Sequence, residues 1–273
     1  MVRFSLNELT TYRWSFEQDV ANYKAAGFHA LGVWRQKLSD YGEEKGVELL
    51  AESGLAVSNL LWAGGFTGSD GRSYADSVAD AADAIRLAGV MHSPCLVVYG
   101  GGRGGHTRKH ARRLLLSALR ELSPLAEEEN VALALEPMHP ACAAECTFLT
   151  SLQETLAILD EVANPFVKLA FDTFHLAQDV CLESLQQIAD RIAVVHLGDS
   201  REPPTAEQNR CALGSGRIRL REIISCLGEA GYDGYFDIEL IGEEIETSDY
   251  QDLLRKSQEA LAELVAPAGH CPP

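Results

Sequence analysis

Positive charge is scarce in this chain. Its 273 residues carry 23 Lys and Arg against 40 Asp and Glu, a formal net charge of −17. Such a surface repels phosphate backbones and anionic bilayers, which argues against a nucleic-acid or membrane partner. No apolar run reaches the ~18 residues that a membrane-spanning helix needs. The opening stretch, Met1-Val2-Arg3-Phe4-Ser5-Leu6-Asn7-Glu8, lacks the apolar centre of a secretory leader, so a cytoplasmic protein is expected. The seven cysteines, at 95, 142, 146, 181, 211, 226 and 271, include no Cys-x-x-Cys pair. An odd set without paired spacing excludes a disulfide framework and reads as reduced thiols. A Gly-rich turn is also missing after the first apolar run, where Leu6-Asn7-Glu8-Leu9-Thr10 stands. That weighs against an open dinucleotide-binding sheet.

What the chain does contain is an eightfold alternation. Short apolar or β-branched runs at residues 4–7, 30–34, 56–62, 96–99, 131–136, 167–172, 192–197 and 235–241 read as buried strands. Helical patterns lie between and after them at 16–26, 41–53, 73–88, 106–129, 152–162, 182–190, 220–230 and 250–265. Several end at Gly or Asn, the residues that helix C-termini favour. Strands that are each followed by a helix must pair in parallel, and eight such units in one chain give a (β/α)₈ TIM barrel. No linker or shift of composition divides the sequence, so residues 1–273 are expected to form a single α/β domain.

The last four strands each break their apolar pattern near the C-terminal end. They read Val131-Ala132-Leu133-Ala134-Leu135-Glu136, Val167-Lys168-Leu169-Ala170-Phe171-Asp172, Ile192-Ala193-Val194-Val195-His196 and Phe236-Asp237-Ile238-Glu239-Leu240. A barrel gathers the carboxyl ends of its strands around one active site. Glu136, Asp172, His196 and Glu239 should therefore converge. A single carboxylate at a strand end is commonly a helix cap or an ion-pair partner, but four polar groups at one depth are hard to obtain from capping alone. Three carboxylates close together repel unless a cation holds them, which points to a divalent metal. The set is hard and oxygen-rich, so Mn²⁺ or Mg²⁺ is favoured, with Zn²⁺ allowed by its generally higher affinity.

Four segments carry a resemblance: Leu135-Glu136-Pro137-Met138-His139-Pro140, Phe171-Asp172-Thr173-Phe174-His175, Val195-His196-Leu197-Gly198-Asp199 and Asp237-Ile238-Glu239-Leu240. Together, and over essentially the whole chain, the sequence resembles the sugar isomerase and epimerase barrels related to xylose isomerase. The resemblance implies that Glu136, Asp172, His196 and Glu239 hold one divalent metal, and that Glu136 and Glu239 also flank the substrate carbon as proton-transfer groups. It implies substrate contacts for His175 and, with the spacing displaced by one, for Arg201. The Glu-Pro-Met-His-Pro segment followed by Cys146-Thr147-Phe148 is more similar to the inosose isomerase branch than to the epimerases, which carry Asn where His139 stands.

The expected activity is thus isomerisation or epimerisation of a keto sugar or keto-inositol, a polyhydroxy ketone that can chelate the metal. A dehydratase would begin with the same proton abstraction. A phosphodiester hydrolase of the apurinic-site endonuclease type would need an Asp-x-His pair just before Gly214-Ser215-Gly216, where Gln208-Asn209-Arg210 stands. A non-catalytic sugar-binding barrel would not need two glutamates on the metal. An assembly of identical subunits is left open.

Other residues are assigned by position. Trp34 and Trp62 end the second and third strands, where they can form a platform for a sugar or plug the barrel end. Tyr99 to His106 is Gly-rich but has no Walker Lys-Ser/Thr, so it is expected to be a mobile loop over the mouth, with His106 a candidate substrate contact. Arg108, Lys109, Arg112 and Arg113 read as a solvated face pairing with acidic neighbours. Cys142 and Cys146 lack the partner pair of a second metal site. His29 and His92 precede their strands, at the stability end of a barrel, and receive no chemistry.

Overall fold

The computed structural model describes residues 2–177 and 180–266; Cys271 lies outside the described residues. Eight parallel strands pair in chain order and close on themselves: β1 (Arg3–Asn7), β2 (Ala30–Trp34), β3 (Ala56–Gly64), β4 (Cys95–Tyr99), β5 (Ala132–Leu135), β6 (Val167–Asp172), β7 (Ile192–Leu197) and β8 (Tyr235–Ile238). Around them run α1 (Phe16–Ala25), α2 (Arg35–Tyr41), α3 (Glu43–Ser53), α4 (Tyr74–Val90), α5 (Arg108–Glu128), α6 (Leu152–Val162), α7 (Thr173–Leu176), α8 (Leu182–Gln187), α9 (Leu220–Glu229), α10 (Glu243–Glu246) and α11 (Tyr250–Val265). The chain is a (β/α)₈ barrel, as the alternation predicts.

Strand residues alternate between two environments. Leu96, Val98, Leu133, Leu135, Leu169, Phe171, Val195 and Leu197 join the large apolar cluster beneath the helices. Their neighbours Cys95, Val97, Ala132, Ala134, Ala170 and Val194 form a second cluster of mostly small residues inside the barrel. This two-residue period is what aims the polar strand ends. Continuing the inner row from Ala134 gives Glu136, from Ala170 gives Asp172, and from Val194 gives His196.

Three departures from the predicted elements concern the mouth. The helix expected over 41–53 is α3, and a further helix, α2, precedes it across a turn at Gly42. The regular strands β5 and β8 stop at Leu135 and Ile238, one residue short of the glutamates. The ladder still continues, because Glu136 N–H donates to Val98 O at 3.3 Å and Glu239 N–H to Leu197 O at 3.0 Å. Finally, the short α7 starts directly on β6 because Asp172 caps it.

Among the described residues no helix is long and apolar enough to cross a membrane. The basic early turns of α5 pair with α6, through Arg108 to Glu154 and Arg112 to Glu161 at 2.6 Å, as expected of a solvated face.

Candidate metal centre

Glu136, Asp172, His196 and Glu239 are all buried at the carboxyl ends of their strands, with exposures of 1%, 0%, 0% and 2%. His196 Nδ1 lies 3.3 Å from Glu136 Oε1 and 3.2 Å from Glu239 Oε2, so the imidazole stands between the two glutamates. One ligand atom each from Glu136, Asp172 and His196 can be chosen so that all lie within 4.8 Å of one another. Asp172 divides its work. Its Oδ1 accepts the N–H groups of Phe174 at 2.6 Å and His175 at 3.2 Å, capping α7, while Oδ2 faces Arg210 Nη2 at 2.9 Å. Capping and site chemistry therefore coexist in one carboxylate.

Burial with little cationic charge perturbs Glu239, His196 and Asp172. Burial pushes the Glu239 carboxyl up to about 7. Burial alone would lower the His196 imidazole, but Glu239 and Glu136 against its ring push it up to about 10. Asp172 would also rise by burial, yet Arg210, His175 and His196 hold it below the ordinary carboxylate range. The protonated imidazole acts as an internal counter-ion. Glu136 Oε2 and His196 Nε2 remain buried with no hydrogen-bond partner among the described residues. An unfilled carboxylate oxygen and ring nitrogen in an anionic pocket fit a divalent cation.

Arg210 is a site residue that the sequence reading passed over. It is among the largest fully buried side chains, and it donates from Nη1 to Glu239 O at 2.7 Å while Nη2 faces Asp172 and, at 3.1 Å, Glu239 Oε1. Its guanidinium lies over the Phe174 ring at 4.7 Å, and its Nε has no partner among the described residues. The loop after β7 is folded to deliver it. Asp199 accepts N–H groups of Ser200 and Gly216, both at 2.9 Å, and its carbonyl receives Cys211 N–H at 2.8 Å. Gly198 lets the arginine pass, since a Cβ there would stand 3.0 Å from Arg210 Nη1 and 2.9 Å from Phe174 Cβ.

The other candidates fall at different places. His175 is buried beside Asp172, with Nδ1 unpartnered; burial, outweighing Asp172, holds its ring below the usual value. Trp34 and Trp62 adjoin with centroids 6.3 Å apart, between Tyr12 and Tyr99. Tyr99 is the inner end of this aromatic row, and burial with the Glu136 and Glu239 charges raises its hydroxyl well above the ordinary value. Arg201 is half exposed and paired to Glu244 on α10 at 2.6 Å, so it belongs to the rim. His106 Nε2 is engaged with Thr67 O at 3.1 Å and its ring stacks on His110.

The Gly-rich segment is tied to neighbouring loops at Gly101 and Gly102, while Arg103, Gly104 and Gly105 are exposed. Gly101 and Gly102 N–H groups donate to Cys146 O and Glu145 O at 3.0 and 3.2 Å, and Gly102 O accepts from Thr67 Oγ1 at 2.5 Å. Glycines here allow close packing between neighbouring loops. Cys142 Sγ faces Thr205 O at 3.1 Å, and the six cysteines of the described residues are free thiols.

Comparison with known proteins agrees with this fold. Inosose isomerase of Bacillus velezensis is 24% identical over 97% of this chain and 98% of its own. D-psicose 3-epimerase of Enterocloster bolteae is 32% identical, over 42% of this chain and only 36% of its own length. The crystal structure of the IOLI protein with a bound zinc atom shares the fold with a TM-score of 0.83, at 21% identity, covering 97% of this chain and 98% of that one. The model of the xylose isomerase-like TIM barrel matches residues 20–264. The chain belongs to the xylose isomerase-like TIM barrel family.

Proposed function

We propose that the protein is a divalent-metal-dependent isomerase or epimerase of a polyhydroxy ketone, a keto sugar or keto-inositol. The observation that carries this reading is the placement of Glu136 and Glu239 on either side of His196, at 3.3 and 3.2 Å, in a buried cluster with unfilled ligand atoms. The names of the inosose isomerase and D-psicose 3-epimerase relatives support the same class of chemistry.

Glu136, Asp172, His196 and Glu239 would hold the cation, which when bound supplies Lewis-acid stabilisation of charge on substrate oxygens. The hardness of the set favours Mn²⁺ or Mg²⁺, and the zinc-bound relative keeps Zn²⁺ in the panel. One glutamate removes the proton from the carbon beside the carbonyl, and the other returns a proton. Return to the opposite face of the same carbon epimerises it. Return to the neighbouring carbon, with a hydroxyl proton moved, isomerises the ketone. His175 and Arg210 provide N atoms with no partner among the described residues, Nδ1 and Nε, suited to substrate hydroxyl or carbonyl oxygens. Trp34, Trp62 and Tyr99 form an apolar wall suited to the C–H face of a ring.

The test is incubation of metal-loaded protein with a panel of ketoses and keto-inositols in D₂O, followed by NMR. Deuterium should enter a C–H position next to the carbonyl, and Glu136→Gln or Glu239→Gln should slow this at least ~10²-fold with the fold retained. No exchange with any member of the panel, or undiminished exchange in both variants, would overturn the two-glutamate mechanism. An alkene-containing product would assign a dehydratase instead.

A further inference from the structure

Two residues before Glu239, on the same inner face of β8, Asp237 is fully buried. A carboxylate inside a barrel is costly unless its oxygens are filled. Here Ser5 Oγ donates to Oδ1 at 2.5 Å and Ser58 Oγ at 3.4 Å, while the amides of Asn7 and Asn59 each donate to Oδ2 at 2.8 Å. β2, between the strands that carry Asn7 and Asn59, must be bare at this level. A Cβ on Gly32 would stand 2.4 Å from Asp237 Oδ2, 3.0 Å from Asn59 Nδ2 and 3.1 Å from Asn7 Nδ2.

Asn7 has a second partner above. Its Nδ2 reaches Glu239 Oε2 at 3.4 Å, the longer of its two carboxylate contacts, while its Oδ1 accepts the Leu9 N–H at 3.0 Å. Turning the amide over would set its carbonyl against two carboxylates and leave the Leu9 N–H unpaired, so partners on both sides fix its orientation. Asn7 itself is 0% exposed. The two glutamates are consequently held in different ways. Glu239 meets Asn7, His196 and Arg210, whereas Glu136 keeps Oε2 free.

We propose that Asn7, anchored by Asp237 and by the Leu9 N–H, is a positioning residue that fixes the Glu239 carboxylate. The role of Glu239 in proton transfer rests on the function proposed above; the Asn7 contact does not. A carboxylate that is both ligand and base must present one oxygen in a defined direction, and a buried amide strap supplies that constraint.

The experiment is a double-mutant cycle of Asn7→Ala and Glu239→Gln, read by Mn²⁺ titration of the full chain freed of metal and by the kinetics of substrate C–H exchange. Asn7→Ala should weaken Mn²⁺ binding ~10-fold in the wild-type background, as loss of an outer partner does. In the Glu239→Gln background the same change should cost no more than about twofold, the mark of coupling through that carboxylate. Exchange at saturating substrate should fall about tenfold with KM nearly unchanged. If Asn7→Ala fails to fold, Asn7→Ser, whose shorter side chain lacks the Nδ2 that meets Glu239, enters the cycle in its place with the same expected coupling. Equal losses in both backgrounds would overturn the proposal. Coupled Mn²⁺ binding without exchange on any keto substrate would leave Asn7 as the strap and remove the isomerase reading. Exchange with additive losses would do the reverse.

Discussion

Glu8, just beyond β1, is buried with Asp19 of α1 and Lys37 of α2, while Glu136, Asp172 and Glu239 are buried around His196 and Arg210. The first cluster carries a lysine whose three donors are used. Lys37 Nζ donates to Glu8 O at 3.0 Å, Thr11 O at 2.9 Å and Asp19 Oδ2 at 2.5 Å. Glu8 Oε2 accepts the Trp34 N–H at 2.7 Å, and its Oε1 is left over. Burial still pushes Asp19 up to about 7 against the pull of Lys37. In the second cluster three carboxylates share one arginine and one imidazole, and the atoms left over, Glu136 Oε2 and His196 Nε2, belong to different ligands in one pocket. Each set counts one more carboxylate than cation, but in the first all three lysine donors are used within the set, which holds loops together. Only the second leaves free ligand atoms on two residues that come within reach of one ion, and that arrangement calls for a cation from outside.

The largest expected effect comes from opening the closed cluster. Lys37→Met removes the cation from two buried carboxylates, so stability should fall by about 3–5 kcal/mol, measured by denaturant unfolding. Metal affinity of the folded fraction should be unchanged, and a loss of stability within error of zero would deny the cluster its structural role. At the second cluster the pattern should invert. Asp172→Ala and His196→Ala should lower metal affinity by at least ~10²-fold, since even outer partners of ligands cost 10- to 100-fold. The barrel should survive both changes. Unfolding of both variants with unaltered metal content in any folded remainder would contradict the assignment.

A smaller effect concerns pH. In the metal-free protein the His196 pKa, about 10, lies above the unfolded value of about 6.5. Its contribution to stability is therefore complete below about pH 6.5 and is lost as pH rises through about 10. His196→Asn should flatten this stretch of the stability profile, and so should saturating metal, which requires the neutral ring. A wild-type profile equally flat without metal would remove the imidazolium from the account. The smallest change should follow Arg201→Ala. Exposed ion pairs contribute little, so exchange kinetics should stay within about twofold of wild type, whereas Arg210→Met should impair them severely. A large loss from Arg201→Ala would restore it to the substrate site.

The four proposed ligands were legible because a charged residue interrupts an apolar strand, and strand parity then fixes which way it points. The same parity marks Asp237, two residues from Glu239 in the quoted Asp237-Ile238-Glu239-Leu240, but its filling by Ser5, Asn7, Ser58 and Asn59 depends on register around the closed barrel. Arg210 was hidden for another reason. It sits in the long loop after β7, where no periodicity relates position to direction, and the hydrogen bonds of Asp199, with that of Arg210 N–H to Ile241 O at 3.2 Å, bring it inward. Arg201, nearer His196 in sequence, was the natural expectation, and Glu244 of α10 holds it at the rim. The ties of Gly101 and Gly102 to the neighbouring loop are not legible in the sequence, because glycine signals backbone freedom and close packing alike.

The central claim is that the mouth cluster takes up a divalent cation where His196 now holds a proton. Isothermal titration of chelator-stripped protein at pH 7, repeated in buffers of different ionisation enthalpy, measures both events at once. The account predicts one equivalent of Mn²⁺, Mg²⁺ or Zn²⁺ bound with release of protons, and no such uptake by His196→Ala. Absence of binding by the wild-type protein, or binding that His196→Ala leaves intact, would contradict it.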